Sequence, residues 1–297
     1  MKRPRWMSGA KDSAEMRKSM EYYTSEKLNE RITAIRSKSG EIMYLIEGEE
    51  KAVLIDTCIG IGGLKDFIRQ IRTKDTPLTV LISHGHIDHA MGAPEFEEVY
   101  MNPRDISLYQ SQCSIKERRG YAGIGLGAMA ESLPDDAFVP ASPDYEFHAL
   151  EEGMVFALGG VSVEVYNAYG HTGGCMAFLI PEEKVLILGD ACNNATFLFD
   201  DICSSVEAYQ QSMRELKAKV AGKYDRVFVM HHIIDAPVSI IDEMIELCDD
   251  ILAGNVDNVP YEFMGKHAVM AKAANARMER GDGKFANLIY NPNHIRQ

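Results

Sequence analysis

Long apolar runs are missing from this chain. No segment approaches the about 20 consecutive apolar residues that a membrane-crossing helix needs. The longest, such as Val185–Leu188, are short and read as buried strands. The opening residues MKRPRWMSGAKDSAEMRKSMEYY are basic at first but contain no apolar core of a secretory leader, so a cytoplasmic location is expected. Basic residues are scarce too. Lys and Arg number 31 against 44 Asp and Glu, a net charge of −13. Nucleic-acid phosphates and anionic bilayers are both held by clustered Lys and Arg, so both are disfavoured as partners. The expected partner is a small-molecule substrate, and a homo-oligomer stays open. There is no Cys-x-x-Cys pair. The cysteines at 58, 113, 175, 192, 203 and 248 are scattered and read as reduced, partly buried thiols.

What is present is ordinary for a globular protein: 46% hydrophobic and 25% charged residues over 297 positions. That is enough to bury a sizeable core, and it excludes a disordered chain.

Residues 1–29 are polar and read as an extension; 30–297 read as one domain. Runs at Ile32–Ile35, Ile42–Ile46 and Ala52–Ile55, separated by turn residues, predict an antiparallel meander. Leu64, Phe67, Ile68 and Ile71 fall at i, i+3, i+4 and i+7, the spacing of an amphipathic helix. A buried strand follows at Leu78–Ile82, then a short strand at Val99–Met101 and a helix near Asp105–Ser111.

Residues 113–144, with glycines at 120, 123, 125 and 127 and prolines at 134, 140 and 143, read as a functional loop or small subdomain inserted in the domain. Within it, Lys116-Glu117-Arg118-Arg119 reads as a solvated charged face. A second meander is expected over Met154–Leu158, Val161–Tyr166, Met176–Ile180 and Lys184–Leu188. It is followed by a helix at Val206–Val220 and a strand at Arg226–Met230. From about 237 the pattern predicts helices near Ile240–Ala253 and His267–Arg280 and a last strand at Asn287–Tyr290. Strands, helix, strand, repeated, implies an α/β fold of two sheets packed face to face with helices outside.

Three of nine histidines fall in Ser83-His84-Gly85-His86-Ile87-Asp88-His89. His84 and His86 are two apart, so on an extended segment their side chains share a face. Imidazoles with a carboxylate suit Zn²⁺, with Fe or Mn²⁺ as alternatives. His171, Asp190 and the pair His231-His232 each follow a predicted strand. A lone His or Asp at such a position is more often a solvated loop residue or a cap. As a set they are all ligand-type residues at strand ends, where a rigid scaffold holds functional side chains.

With these motifs the sequence resembles the metallo-β-lactamase superfamily of hydrolases over roughly residues 30–235. The matching elements, in order, are Asp56 in Leu-Ile-Asp-Thr, the HxHxDH run at 84–89, His171 in Gly-His-Thr, Asp190 in Gly-Asp, and a His after the 226–230 strand. The resemblance implies an αββα sandwich of two mixed sheets with two divalent metal ions at one edge. It places His84, His86 and His171 on one ion and Asp88, His89 and His232 on the other, with Asp190 bridging. His232 is preferred over His231 because the family has Pro-Gly-His where this chain has Met230-His231-His232. Asp56, Thr172 and His231 would support the ligands.

Two ions about 3.5–4 Å apart share and acidify a water, and Asp88 and Asp190 become the catalytic carboxylates. Asp190 stands where β-lactamases of the superfamily often carry Cys, which turns the reading toward glyoxalase II-like thioesterases and lactonases. Ala191 replaces the Tyr of the quorum-quenching lactonases. The leading expectation is a dinuclear metal hydrolase acting on a small ester, thioester or lactone. The alternatives are a diiron redox protein reducing O₂ or NO, a phosphodiesterase or nuclease, and a metal-bound protein without turnover.

Overall fold

The computed structural model describes residues 22–296. Most of the expected amino-terminal extension, residues 1–21, lies outside them. The chain forms two compact units.

Among the described residues, the first unit comprises Tyr22–Tyr100 together with Ile106–His148. Its sheet has the order β1 (Tyr23–Lys27), β2 (Ile32–Ser37), β3 (Ile42–Glu47), β4 (Ala52–Ile55), β5 (Leu78–Leu81), β6 (Val99–Met101) and β7 (His148–Ala149). The meander β2–β4 is where the apolar alternation predicts it. β1 is not: it falls in the stretch read as a polar extension. Only Tyr23 of this edge strand is buried, so it has almost no hydrophobic pattern to show. The sheet turns parallel at β4–β5 and β5–β6. The helices are α1 (Leu64–Ile71), α2 (Ile87–Ala90), α3 (Ile106–Gln112), α4 (Ile115–Leu126) and α5 (Ala128–Ser132).

The glycine-rich insertion is therefore helical. Its start is written in the sequence: Ser114 accepts a hydrogen bond from the Glu117 amide at 3.2 Å, closing the first turn of α4. The charged cluster is not a solvated face. Arg118 is 1% exposed. Its guanidinium donates to the carbonyls of Ile59 (3.0 Å), Gly60 (2.5 Å) and Val139 (2.6 Å). Burial lowers its pKa to about 10, still far above neutrality. Residue 60 must be glycine, since φ is +71° and a Cβ there would lie 2.4 Å from the Met91 carbonyl oxygen.

The second unit comprises Met101–Asp105 and Ala149 onward. Its strands are β8 (Val155–Ala157), β9 (Ser162–Asn167), β10 (Met176–Ile180), β11 (Val185–Ile187), β12 (Thr196–Leu198), β13 (Arg226–Phe228), β14 (Asp235–Ala236), β15 (Val259–Phe263), β16 (Lys266–Met270) and β17 (Leu288–Tyr290). They form a mixed sheet, β14-β13-β11-β10-β9-β8, and a smaller one, β12-β17-β16-β15. The helices α6 (Val206–Val220) and α7 (Ile240–Ala253) bury Tyr209, Met213, Leu216, Met244 and Cys248 in one core with Leu179, Leu186 and Val227. Each such fully buried side chain contributes about 1.5–3 kcal/mol.

The helix expected over His267–Arg280 is not formed. Lys266–Met270 is a strand paired with β15, with Ala268 and Met270 both buried against Ile289. Period two wins there because neighbouring strands complete the sheet. All six cysteines are buried thiols, as their scatter implies. No helix among the described residues is long and apolar enough to cross a membrane.

Arg118→Met keeps the aliphatic stem but takes the guanidinium from the buried Ile59 and Val139 carbonyls, while the Gly60 carbonyl keeps the Val139 amide. We expect a loss of about 3 kcal/mol of unfolding free energy in urea titration. A loss under about 1 kcal/mol would mean that water replaces the guanidinium.

Candidate metal centre

In the first unit the ligand loop leaves β5 beside β4, whose last residue, Ile55, pairs with Leu81. Asp56 follows with φ +66°, a left-handed conformation uncommon for a side-chain-bearing residue. That turn puts its carboxylate on the loop. Oδ1 accepts from the Ser83 amide (2.6 Å), and Oδ2 from the Ser83 hydroxyl (2.7 Å) and His89 Nδ1 (2.6 Å). Ser83 Oγ also lies 3.0 Å from His84 Nδ1. His84, His86 and His89 gather closely, with the His84 ring centroid 4.9 Å from that of His86 and 4.1 Å from that of His89. Asp88 is in the first turn of α2, where backbone N–H groups favour a carboxylate. Its Oδ2 is 3.7 Å from His89 Nε2. His84, Asp88 and His89 are all at most 5% exposed.

In the second unit the donors come from the ends of neighbouring strands. β11 and β13 run parallel with Ile187 opposite Phe228, so Asp190 and His231 each lie three residues past a matched pair. His231 Nε2 is 3.1 Å from Asp190 Oδ2. His232, preferred from the family pattern, is one residue out of that register, with φ +61° in a tight turn, its ring centroid 6.2 Å from that of His231. Burial and the neighbouring His231 hold its pKa below the usual histidine value.

His171 sits between β9 and β10. Its Nδ1 faces the Phe197 carbonyl at 2.7 Å, and its Nε2 is 3.9 Å from Asp190 Oδ2. Gly170 allows this turn: φ is +142°, and a Cβ would lie 2.2 Å from the Tyr209 ring.

The Nδ1 atoms of His84, His89 and His171 all meet a protein acceptor. That fixes each ring so that Nε2 is the metal-facing nitrogen, the arrangement that orients metal-binding imidazoles. Imidazole nitrogens and carboxylate oxygens form the donor set of a divalent transition metal. The residues fit such ions.

Thr172 was expected to bond a ligand carboxylate. It donates instead to Asp105 Oδ2 at 2.7 Å, while the Gly174 amide donates to Oδ1 at 2.8 Å. Asp105 is 2% exposed and pins the loop that carries His171. The sequence reading missed it, as it missed Tyr121, whose hydroxyl is 2.5 Å from Asp88 Oδ2. Both come from stretches without ligand-type spacing. Away from these residues, His148 stacks on Tyr100 at 4.9 Å and His267 is exposed beside Glu262. Tyr290 donates to Asn258 at 2.6 Å.

Residues 42–231 match the model of the metallo-beta-lactamase superfamily. The chain is 30% identical over 151 residues to hydroxyacylglutathione hydrolase GloC of Haemophilus influenzae, covering 48% of this chain and 62% of that protein. It thus spans less than two thirds of that relative's length. It is 25% identical over 203 residues to acyl-coenzyme A thioesterase MBLAC2 of Gallus gallus, covering 64% of this chain and 71% of that one. Among solved structures, the metallo-beta-lactamase from Pontibacter korlensis superposes with a TM-score of 0.54 at 18% identity, over 75% of this chain and 97% of that chain, a likeness of fold.

Asp56→Asn removes the charge behind His89. Metal affinity is expected to fall about 10- to 100-fold, measured by competition with a chromophoric chelator. An unchanged affinity would show that the Asp56 charge does not tune the ligand.

Proposed function

Because the chain belongs to the metallo-β-lactamase superfamily and has its fold, we propose that it is a metal-dependent hydrolase that holds two divalent ions and cleaves a small thioester. The observation that carries this is the donor set itself: His84, His86, Asp88 and His89 in the first unit, and His171, Asp190 and His231 in the second. His231 takes the role first given to His232. Zn²⁺ is the ion we expect from the nitrogen-rich set.

Thioesters come first because relatives include a hydroxyacylglutathione hydrolase and acyl-CoA and acyl-carrier-protein thioesterases. Bound ions would supply a hydroxide-like nucleophile at neutral pH and Lewis acidity toward a carbonyl oxygen. The chain's own part is orientation. Asp56, Ser83 and the Phe197 carbonyl keep three imidazoles in one tautomer and one pose. Asp88 and Asp190 would supply negative charge to the ions, and Asp190 Oδ2 lies 3.9 Å from His171 Nε2 and 3.1 Å from His231 Nε2. The mostly buried ligands exclude bulk water, which strengthens each of these interactions.

Elemental analysis of purified protein should find close to two ions per chain, with Zn²⁺ dominant. A panel of chromogenic thioesters should be hydrolysed, and chelation should abolish turnover. His86→Ala should lower both metal content and rate. Turnover that survives metal removal would overturn the proposal, and iron with rapid O₂ consumption would replace it with a redox reading.

The histidine pair gives a sharper comparison. His231→Ala should lower metal content to about one ion and the rate by 10²-fold or more, on the order of losing a metal ligand. His232→Ala should leave metal content unchanged. The reverse result would return the ligand role to His232.

A further inference from the structure

The insertion at 113–144 is not part of the histidine motif, yet it touches the motif. Tyr121 on α4 donates its hydroxyl to Asp88 Oδ2 at 2.5 Å. Asp88 is 5% exposed, so this is a bond in a nearly dry place, and a neutral donor to a carboxylate there is strong.

Two anchors hold the phenol where it is. Arg118 lies one helical turn before Tyr121, and i, i+3 side chains share a helix face. Arg118 is the residue whose guanidinium fastens α4 to the carbonyls of Ile59, Gly60 and Val139. Just before α4, the Gln112 side-chain oxygen accepts from the Ile87 amide at 2.8 Å, next to Asp88 itself. The end of α3 thus grips the backbone at residue 87, and the insertion that follows it grips the carboxylate at residue 88. A loop kept only for covering a substrate pocket needs neither contact.

Building on the two-ion reading above, we propose that Tyr121 is a positioning residue for the second ion. Its hydroxyl holds the Asp88 carboxylate in the rotamer that faces His89, and so makes occupancy of the position that Asp88 and His89 serve depend on the folded insertion. Without it the carboxylate loses its donor from the insertion and is held less tightly when the ion binds, which weakens that position. The position that His84 and His86 serve does not draw on Asp88, so it is spared.

The test is Tyr121→Phe, which keeps the ring and its packing and removes only the donor. Zn²⁺ affinities of wild type and variant are measured by chelator competition, with thermal unfolding of both metal-free proteins alongside. One of the two affinities should fall about 10- to 100-fold while the other holds, with the metal-free melting temperature unchanged. In turnover, kcat should fall at limiting Zn²⁺ and recover with excess, at constant KM.

If both affinities match wild type, the proposal is wrong. If both fall together with a lower metal-free melting temperature, Tyr121 is merely structural and the proposal is equally wrong. A wild-type protein that binds fewer than two ions would instead remove the two-ion reading on which the proposal stands, and that outcome is visible before any variant is made.

Discussion

The carboxylate of Asp56 accepts three hydrogen bonds in a place that is 1% exposed, and the histidine loop of the first unit is arranged around it. A buried carboxylate without donors would cost several kcal/mol, so the loop that satisfies it is not free to relax. Ser83 and His89 are drawn to the end of β4, and the rings of His84 and His89 are fixed from behind. The left-handed backbone at Asp56 adds a strain of order 1–3 kcal/mol that only such an over-determined surrounding sustains. Nδ1 of both rings turned to protein is the consequence.

The second unit reaches the same end by another route. There the parallel pairing of β11 with β13 sets the distance between Asp190 and His231, and a backbone carbonyl, Phe197, does for His171 what Asp56 does for His89. Behind the His171 loop stands Asp105, a buried carboxylate that joins Thr172 and Gly174. Each unit therefore spends one buried carboxylate on holding a ligand loop rather than on holding metal. The insertion helix adds a third support through Tyr121. Its own rigidity comes from an arginine whose charge is met by dipoles of three carbonyls, not by a counter-ion.

Much of the architecture was legible in the sequence where side chains carry the pattern alone. The helices at 64–71, 206–220 and 240–253 and the meander strands β2–β4 announce themselves by apolar spacing. The ligand-type residues announce themselves by density at 84–89 and by position after strands. Legibility failed where the partner, not the segment, decides. β1 has one buried side chain. β16 reads as helix until β15 and β17 lie beside it. The 115–126 helix hid behind its glycines, although Ser114 and Glu117 formed a start signal that could have been read.

What the sequence determined by itself is chemical: a set of imidazoles and carboxylates suited to divalent ions, reduced cysteines, an acidic composition, and the family that goes with HxHxDH and the later His and Asp. What only the tertiary structure decided is geometric. His231 stands beside Asp190 because a parallel register counts residues from Ile187 and Phe228. Arg118 is interior rather than solvated because the carbonyls that receive it lie 58, 59 and 21 residues away. Spacing along the chain carries donor type and local periodicity. Which nitrogen faces which oxygen is settled by hydrogen bonds between segments far apart in sequence, and no local pattern encodes them.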